Sequence, residues 1–118
     1  MDKRVEAAKA IIEREYQRDL RIPELARRVG LGRSHRAFLF KVETGFTMKG
    51  CLREARLTQA AELLRGQHYD HVGVKQAAFA VGYRSIPNFT RDFTKRFGKN
   101  PSRPRRTANM PLNSPPSA

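Results

Sequence analysis

The chain contains one cysteine and no tryptophan, and no stretch approaches the about 18 consecutive apolar residues of a membrane-spanning helix. A single cysteine, Cys51, excludes an intrachain disulfide framework and a cysteine-based zinc site. No secretory apolar segment follows Met1, and alternating segments typical of strands are nearly absent. We therefore expect an all-α, cytoplasmic protein that does not interact with a membrane.

Acidic residues are also scarce. The 118 residues include 24 Lys and Arg against 11 Asp and Glu, which gives a formal net charge of +13. Such an excess indicates a polyanionic partner, most often nucleic acid. An anionic membrane surface is the alternative, and it is disfavoured because the apolar stripes match an interior helical bundle and no tryptophan is present.

Apolar residues recur at helical spacing. Phe89, Phe93 and Phe97 share one face, which we interpret as core and not as a surface for stacking bases. Ser85 is the predicted N-cap of this helix, and Gly98 ends it. The pattern predicts helices at residues 2–18, 21–30, 33–45, about 47–65, 74–82 and 85–97.

An internal repeat organises these helices. The segments "ELARRVGLGRSHRAFLFKVETG" and "QAAFAVGYRSIPNFTRDFTKRFG" share a frame. The matched positions are Ala26 with Ala78, Val29 with Val81, and Gly30 with Gly82. Each segment predicts a short helix, a glycine-containing turn and a longer basic helix, which is the pattern of a helix-turn-helix.

The second segment also resembles a known family. It follows the pattern A-x-x-V-G-Y-x-S-x-x-x-F-x-R-x-F-x-K-x-F-G-x-x-P-S, from Ala78 to Ser102. This pattern is similar to the DNA-binding domain of AraC/XylS-type transcription regulators, and "LARRVGL", "LFKVETG" and "REARLTQAAELL" extend the resemblance to about residues 5–106. It implies a bacterial-type regulator of transcription, an activator or a repressor, that binds specific sequences of double-stranded DNA.

The resemblance implies a bilobed domain of about seven helices over residues 1–106. Lobe one would cover about 1–46, a long linker helix about 47–65, and lobe two about 66–106. Recognition helices 33–43 and 85–97 would enter adjacent major grooves. The uncharged, proline-containing tail at 107–118 is expected to be disordered.

Candidate contacts fall on these two helices or directly beside the second one. Arg91 would donate to a guanine or clamp a phosphate, Asn88 would read adenine or support the helix start, and Ile86 and Pro87 would touch thymine methyls or only begin the helix. The candidates for reading bases are Ser34, Ala37, Phe38, Ile86, Pro87, Asn88, Thr90 and Arg91. The candidates for contacting the DNA backbone are Arg33, His35, Lys41, Arg84, Ser85, Lys95, Arg96 and Lys99.

Three departures from the family bear on these candidates. The family usually has an apolar residue at Arg36 and often an arginine at Phe38, so Phe38 either packs on a thymine methyl or rotates inward. The "GQHYDHVG" loop is about three residues longer than usual, a change that surface loops absorb at little cost. Pro104 replaces an aromatic near the last short helix, which leaves that helix frayed or missing.

Other chemistry is not expected. His68, Asp70 and His71 lack a fourth ligand, so we predict a solvated loop and no metal or other cofactor. Cys51 is interpreted as a small core residue, and Glu13 and Glu15 as a solvated helix face. No pairing of a nucleophile with a base indicates an enzyme. RNA polymerase is a second partner considered, and the chain would bind DNA as a monomer or through a dimerisation domain not present in it.

Overall fold

Six α-helices and no strands form the part of the chain that the computed structural model describes, residues 1–65 and 73–102, with only the backbone described at 33–37. The helices are α1 (Lys3–Glu15), α2 (Ile22–Val29), α3 (Arg33–Thr44), α4 (Met48–Arg65), α5 (Val74–Ala80) and α6 (Ile86–Phe97). The all-α prediction is confirmed, and each predicted helix is present within a few residues of its expected ends.

The chain divides into two compact units, Met1–Ala55 and Arg56–Ala118, with the border inside α4. The first half of α4 belongs to the core of the first unit, where Met48 and Leu52 are buried. Its second half supplies Leu57, Ala60, Ala61 and Leu64 to the buried residues of the second unit. The helix interpreted as a linker thus also contributes buried residues to the core of each unit.

The core of the first unit is mostly aliphatic. Val5, Ala8 and Ile12 are buried along α1 as the spacing predicts, and Ile11 joins them. Phe40 of α3 is the one phenylalanine in this buried cluster. Cys51 packs against the cluster and is half-buried, and its burial raises the pKa of the thiol. A raised pKa keeps the sulfur protonated at neutral pH, which agrees with a packing role.

A double hydrogen bond joins α1 to α2. Arg28 donates from Nη1 and Nη2 to the two carboxylate oxygens of Glu15, each at 3.0 Å. The Arg28 guanidinium lowers the pKa of Glu15. The interpretation of Glu15 as a solvated side chain was therefore wrong: the partner lies on another helix, 13 residues away, where spacing along α1 alone cannot show it.

Both glycine turns have the same hydrogen-bond pattern. The Leu31 amide donates to the Ala26 carbonyl, and the Tyr83 amide donates to the Ala78 carbonyl, both at 2.9 Å. Gly30 and Gly82 lie within these turns with φ of 80° and 105°, a region that residues with a Cβ rarely adopt. The repeated sequence thus forms the same helix ending in each unit, as the helix-turn-helix interpretation requires.

The core of the second unit combines alanine with phenylalanine. Ala77 and Ala78 of α5 are buried, and the rings of α6 contact one another in series at tilted angles, Phe89 to Phe93 at 5.6 Å and Phe93 to Phe97 at 4.7 Å between centroids. All three rings are buried, so the prediction that this stripe is core is confirmed. Small alanines on one helix leave room for large rings on the other.

Some predictions lie outside the described residues. These are the loop with His68 and His71, the last short helix near Pro104, and the tail at 107–118. Six of the about seven helices expected are therefore present in the described ranges. No helix in those ranges combines the length and apolarity needed to cross a bilayer.

Candidate nucleic-acid interface

The start of α6 is fixed by its own sequence. The Ser85 hydroxyl accepts a hydrogen bond from the Asn88 amide at 3.3 Å, and a proline stands in the first turn, where no intrahelical partner for its nitrogen is needed. Ser85, a predicted contact to the DNA backbone, thus first serves as the N-cap. The helix is held by its cap at one end and by buried rings along its length.

Polar side chains occupy the side of α6 away from the core. Asn88, Arg91 and Lys95 are exposed, and their spacing places them opposite the buried phenylalanines. Pro87 is exposed beside them, whereas Ile86 and Thr90 are partly buried on the flanks. The arrangement therefore places the amide of Asn88, which can both donate and accept, and the two cations Arg91 and Lys95 on one face of the helix.

The remaining cations near α6 lie elsewhere. The Arg96 guanidinium sits 4.8 Å from the centroid of the Phe97 ring, so part of its role is packing. Arg84 is exposed just before the helix, and Lys99 is partly buried just after it. These three residues border the exposed face at its two ends and do not form its centre.

One carboxylate within α6 was not predicted as a functional residue. Asp92 accepts a hydrogen bond from Arg91 Nε at 3.2 Å and another from the Tyr83 hydroxyl at 2.9 Å. The signal was available in the sequence, because Asp92 is the only acidic residue among Ile86–Phe97 and adjoins the leading candidate. Sequence spacing did not show the bond from Tyr83, which crosses the turn before the helix.

The outward face of α3 is more apolar. Phe38 is 70% exposed and Val42 is 66% exposed, and the two lie one turn apart, on the side away from the buried Phe40. Phe38 has therefore not rotated inward, which excludes that alternative and leaves contact with a thymine methyl as a prediction. Lys41, also exposed, adds a cation to this helix. Val42 was not among the predicted contacts, although its position four residues after Phe38 places the two side chains on the same face of a helix.

The start of α3 differs from that of α6. Gly32 is its N-cap and provides no side-chain hydrogen bond. The predicted contacts Arg33, Ser34, His35 and Ala37, with the unusual Arg36, lie on α3, but their side chains are outside what the structure describes. The described part of this helix thus offers Phe38, Lys41 and Val42 as its outward residues.

Comparison with known proteins places this geometry in a family. A family model described as "Helix-turn-helix domain" matches residues 25–107, more than half of the chain. The Msm operon regulatory protein of Streptococcus mutans is 26% identical over 99 residues, which cover 84% of this chain and 34% of that protein. The chain therefore spans about a third of the length of that relative.

Solved structures give the same fold. The C-terminal domain of AraT, a response regulator from Geobacillus stearothermophilus, superposes with a TM-score of 0.81 at 26% identity, covering 90% of this chain and 86% of that domain. A protein from Rhodopseudomonas palustris, described as a probable AraC family transcriptional regulator, gives a TM-score of 0.76 at 24% identity over 92% of this chain and all of its own, and supports the fold alone. Together with the paired helix-turn-helix units, these matches show that the chain belongs to the DNA-binding helix-turn-helix domains of AraC/XylS-type transcription regulators.

Proposed function

We propose that the chain recognises a specific sequence of double-stranded DNA through the outward faces of α3 and α6. The observation that carries this proposal is the way the second helix of each helix-turn-helix, α3 or α6, is held. Each is anchored by buried phenylalanine and follows a glycine turn with the same hydrogen bonds, which leaves one face outward. A helix presented in this way fits the major groove, where each base pair has its own pattern of donors and acceptors.

Within α6, Arg91 is the proposed reader of guanine. Its side chain is 68% exposed, at the centre of the polar face, and a guanidinium matches the O6 and N7 acceptors of guanine with two donors. Asn88 lies one turn earlier on the same face and offers the amide that pairs with adenine. Lys95, one turn later, is proposed to contact phosphate because its ammonium is a point charge without a preferred plane.

Within α3, Phe38 and Val42 are proposed to contact thymine methyl groups. Four residues of helix rise by about 6 Å, close to two base-pair steps of about 3.4 Å. The two apolar side chains would therefore reach methyls two base pairs apart, and Lys41 would contact the phosphate backbone. The two helices would read different bases, so the DNA site would be asymmetric.

The test uses duplexes selected from a random pool, with a scrambled duplex as the non-specific reference. Arg91→Lys keeps the charge and loses the planar pair of donors, so specific affinity should fall about 5- to 150-fold, corresponding to about 1–3 kcal/mol. Non-specific affinity and the dependence of affinity on salt should stay unchanged, since the number of cations is the same.

Lys95→Arg is the matched control, because it exchanges the two cations at the position proposed to contact phosphate. It should leave the ratio of specific to non-specific affinity near that of the parent protein. If Arg91→Lys also leaves this ratio unchanged, Arg91 contacts the backbone and the proposed guanine contact is wrong. If selection yields no preferred sequence at all, non-specific packaging of nucleic acid becomes the better function.

Other aspects of the function remain predictions. A contact with RNA polymerase, binding to DNA as a monomer or through a dimerisation domain outside this chain, cytoplasmic localisation and the absence of enzymatic activity are all proposed on the family's role in transcription. Association of the chain with DNA in adjacent major grooves is proposed on the same ground. Binding to RNA polymerase would be measured directly, with and without DNA.

A further inference from the structure

Asp92 is an unexpected residue on a helix proposed to enter DNA. A carboxylate near the phosphates repels them and lowers electrostatic affinity. Nevertheless, Asp92 is the single acidic residue of α6, and it directly follows Arg91. Its contacts with neighbouring side chains indicate a role that offsets this repulsion.

The two oxygens of Asp92 bind different partners. Oδ2 accepts from the Tyr83 hydroxyl at 2.9 Å, and Oδ1 accepts from Arg91 Nε at 3.2 Å. The Asp92 side chain is 16% exposed, so its position is largely set by the protein, whereas Arg91 extends into solvent. The carboxylate therefore links a fixed side chain to an exposed one.

Tyr83 is itself attached to the core. Its ring meets the fully buried Phe89 ring edge-on, with 5.2 Å between centroids and 70° between planes. The Arg56 guanidinium lies 6.0 Å from the centroid of the Tyr83 ring. The orientation of the hydroxyl, and through it that of Asp92, is thus determined by packing within the second unit.

We propose that Asp92, held by Tyr83, is a positioning residue that orients Arg91 for reading guanine. With Nε donating to Asp92, the donors directed to the base are the terminal Nη1 and Nη2 groups, which form the end-on pair that matches O6 and N7. This inference rests on the proposed function of Arg91. It adds that the specificity of α6 depends on three residues, of which only Arg91 touches DNA.

The contact contributes little to folding, because Arg91 is 68% exposed and the gain from the ion pair is offset by lost rotamer freedom of this long side chain and by solvent screening. Its effect is to restrict that freedom before DNA arrives, so that less ordering remains to be done on binding. Specific binding benefits from this restriction, whereas non-specific binding needs only a positive charge near phosphate. The two kinds of binding should therefore respond differently to changes at Asp92.

The test replaces Asp92 by asparagine and measures affinity for the selected and the scrambled duplex. Asp92→Asn removes the negative charge, so affinity for the scrambled duplex should rise about two- to threefold, while affinity for the selected duplex should fall about fivefold. Tyr83→Phe removes the hydroxyl without a change in charge. It should lower specific affinity about threefold and leave non-specific affinity unchanged. Thermal melting of both variants establishes that the fold is retained.

Glu62→Gln is the matched control, since Glu62 is an exposed carboxylate of the same unit, 61% exposed on α4, and loses the same charge. It should change both affinities by the same factor. A duplex with 7-deazaguanine at the contacted base provides an independent measurement, because only the N7 acceptor is lost. The resulting loss of affinity should be smaller in Asp92→Asn than in the parent protein.

The outcomes separate this inference from the function beneath it. If Arg91→Lys lowers specificity and Asp92→Asn behaves like Glu62→Gln, Asp92 does not position Arg91 and only the inference is overturned. If neither Arg91→Lys nor 7-deazaguanine affects specificity, the guanine contact itself is wrong and the inference falls with it.

Discussion

The two helix-turn-helix motifs have the same turn after their first helices, α2 and α5, but their second helices, α3 and α6, begin differently and expose different residues. In the first unit, α3 begins at a glycine without a side-chain cap and presents Phe38 and Val42 outward. In the second, α6 begins at a serine cap and presents Asn88, Arg91 and Lys95. The comparison teaches that the turn defines the motif, whereas the outward residues are free to differ, and we propose that they determine which bases each helix reads.

The cores differ in a parallel way. Leucine, isoleucine and methionine surround the single buried ring of Phe40 in the first unit. The second contains three rings in series together with several buried alanines. Aliphatic side chains adapt to a gap more easily than a row of contacting rings, so the same deletion should have different consequences in the two units.

Removal of a buried ring should have the largest effect and tests this difference directly. Phe93→Ala should lower the free energy of unfolding of the second unit by about 3–5 kcal/mol, with the loss of two ring contacts placing it near the upper end. Phe40→Ala should lower that of the first unit by an amount nearer the lower end of the same range. Exchange of the amide hydrogens of α6 and of α3 at graded denaturant concentrations reports each unit separately.

Two controls refine this prediction. Phe93→Leu restores most of the volume without the aromatic contacts, so it should recover more than half of the loss. Equal losses for Phe93→Ala and Phe40→Ala would contradict a special contribution from the ring series and would attribute both costs to cavity volume alone.

The second-largest effect is expected in the outward faces of α3 and α6, which should differ in their sensitivity to thymine methyl groups. Replacing thymine by deoxyuridine in the DNA bound by α3 deletes one methyl group and preserves every hydrogen bond of the base. Affinity should fall about fourfold for each contacted methyl, corresponding to about 0.8 kcal/mol. Phe38→Ala should bind the two DNAs with nearly equal affinity, because its own contact with the methyl is already lost.

Val42→Ala serves as the second variant and should lose sensitivity at a different thymine, about two base pairs away. If Phe38→Ala retains the full penalty for deoxyuridine, the ring does not contact the methyl. In that case the exposed pair on α3 would have another role, and the comparison between an apolar and a polar reading helix would no longer hold for DNA.

The sequence was sufficient for the features that depend on local spacing. Residues a few positions apart predict the helix positions, the repeated glycine turn, the Ser85 cap and the buried phenylalanine stripe. The family resemblance predicted which helices would be recognition helices. Contacts between separate elements were not predictable in this way, as the pairing of Glu15 with Arg28 and the bond from Tyr83 to Asp92 illustrate. Those contacts depend on how helices pack, which residue spacing does not determine.

The caps provide a further difference between the units. Asp2 caps α1 with a carboxylate that accepts from the Arg4 amide at 2.7 Å, and its Oδ1 and Oδ2 each accept from the Arg4 side chain at 3.1 Å. These hydrogen bonds hold the pKa of Asp2 at about 2, below its ordinary value of 3.8. The cap of α6 is the Ser85 hydroxyl, which does not titrate in this range. Acid should therefore affect the two helix starts unequally.

The smallest expected effect is the response of these caps to acid. Since the pKa of Asp2 is lower in the folded protein, its contribution is complete above about pH 4 and is lost as the pH falls through about 2. Hydrogen exchange in the first turn of α1 should accelerate over this interval relative to the first turn of α6, after correction for intrinsic rates.

Asp2→Asn keeps a good capping residue that does not titrate, so its α1 should show a weaker change with pH. Glu15 also titrates in the first unit, and the difference between the parent protein and Asp2→Asn isolates the cap from it. An unchanged pH response in Asp2→Asn would assign the acid sensitivity of α1 to carboxylates other than Asp2, such as Glu15 or Glu43, which accepts from the Asp2 backbone amide at 2.8 Å, and would remove the caps from the differences between the two units.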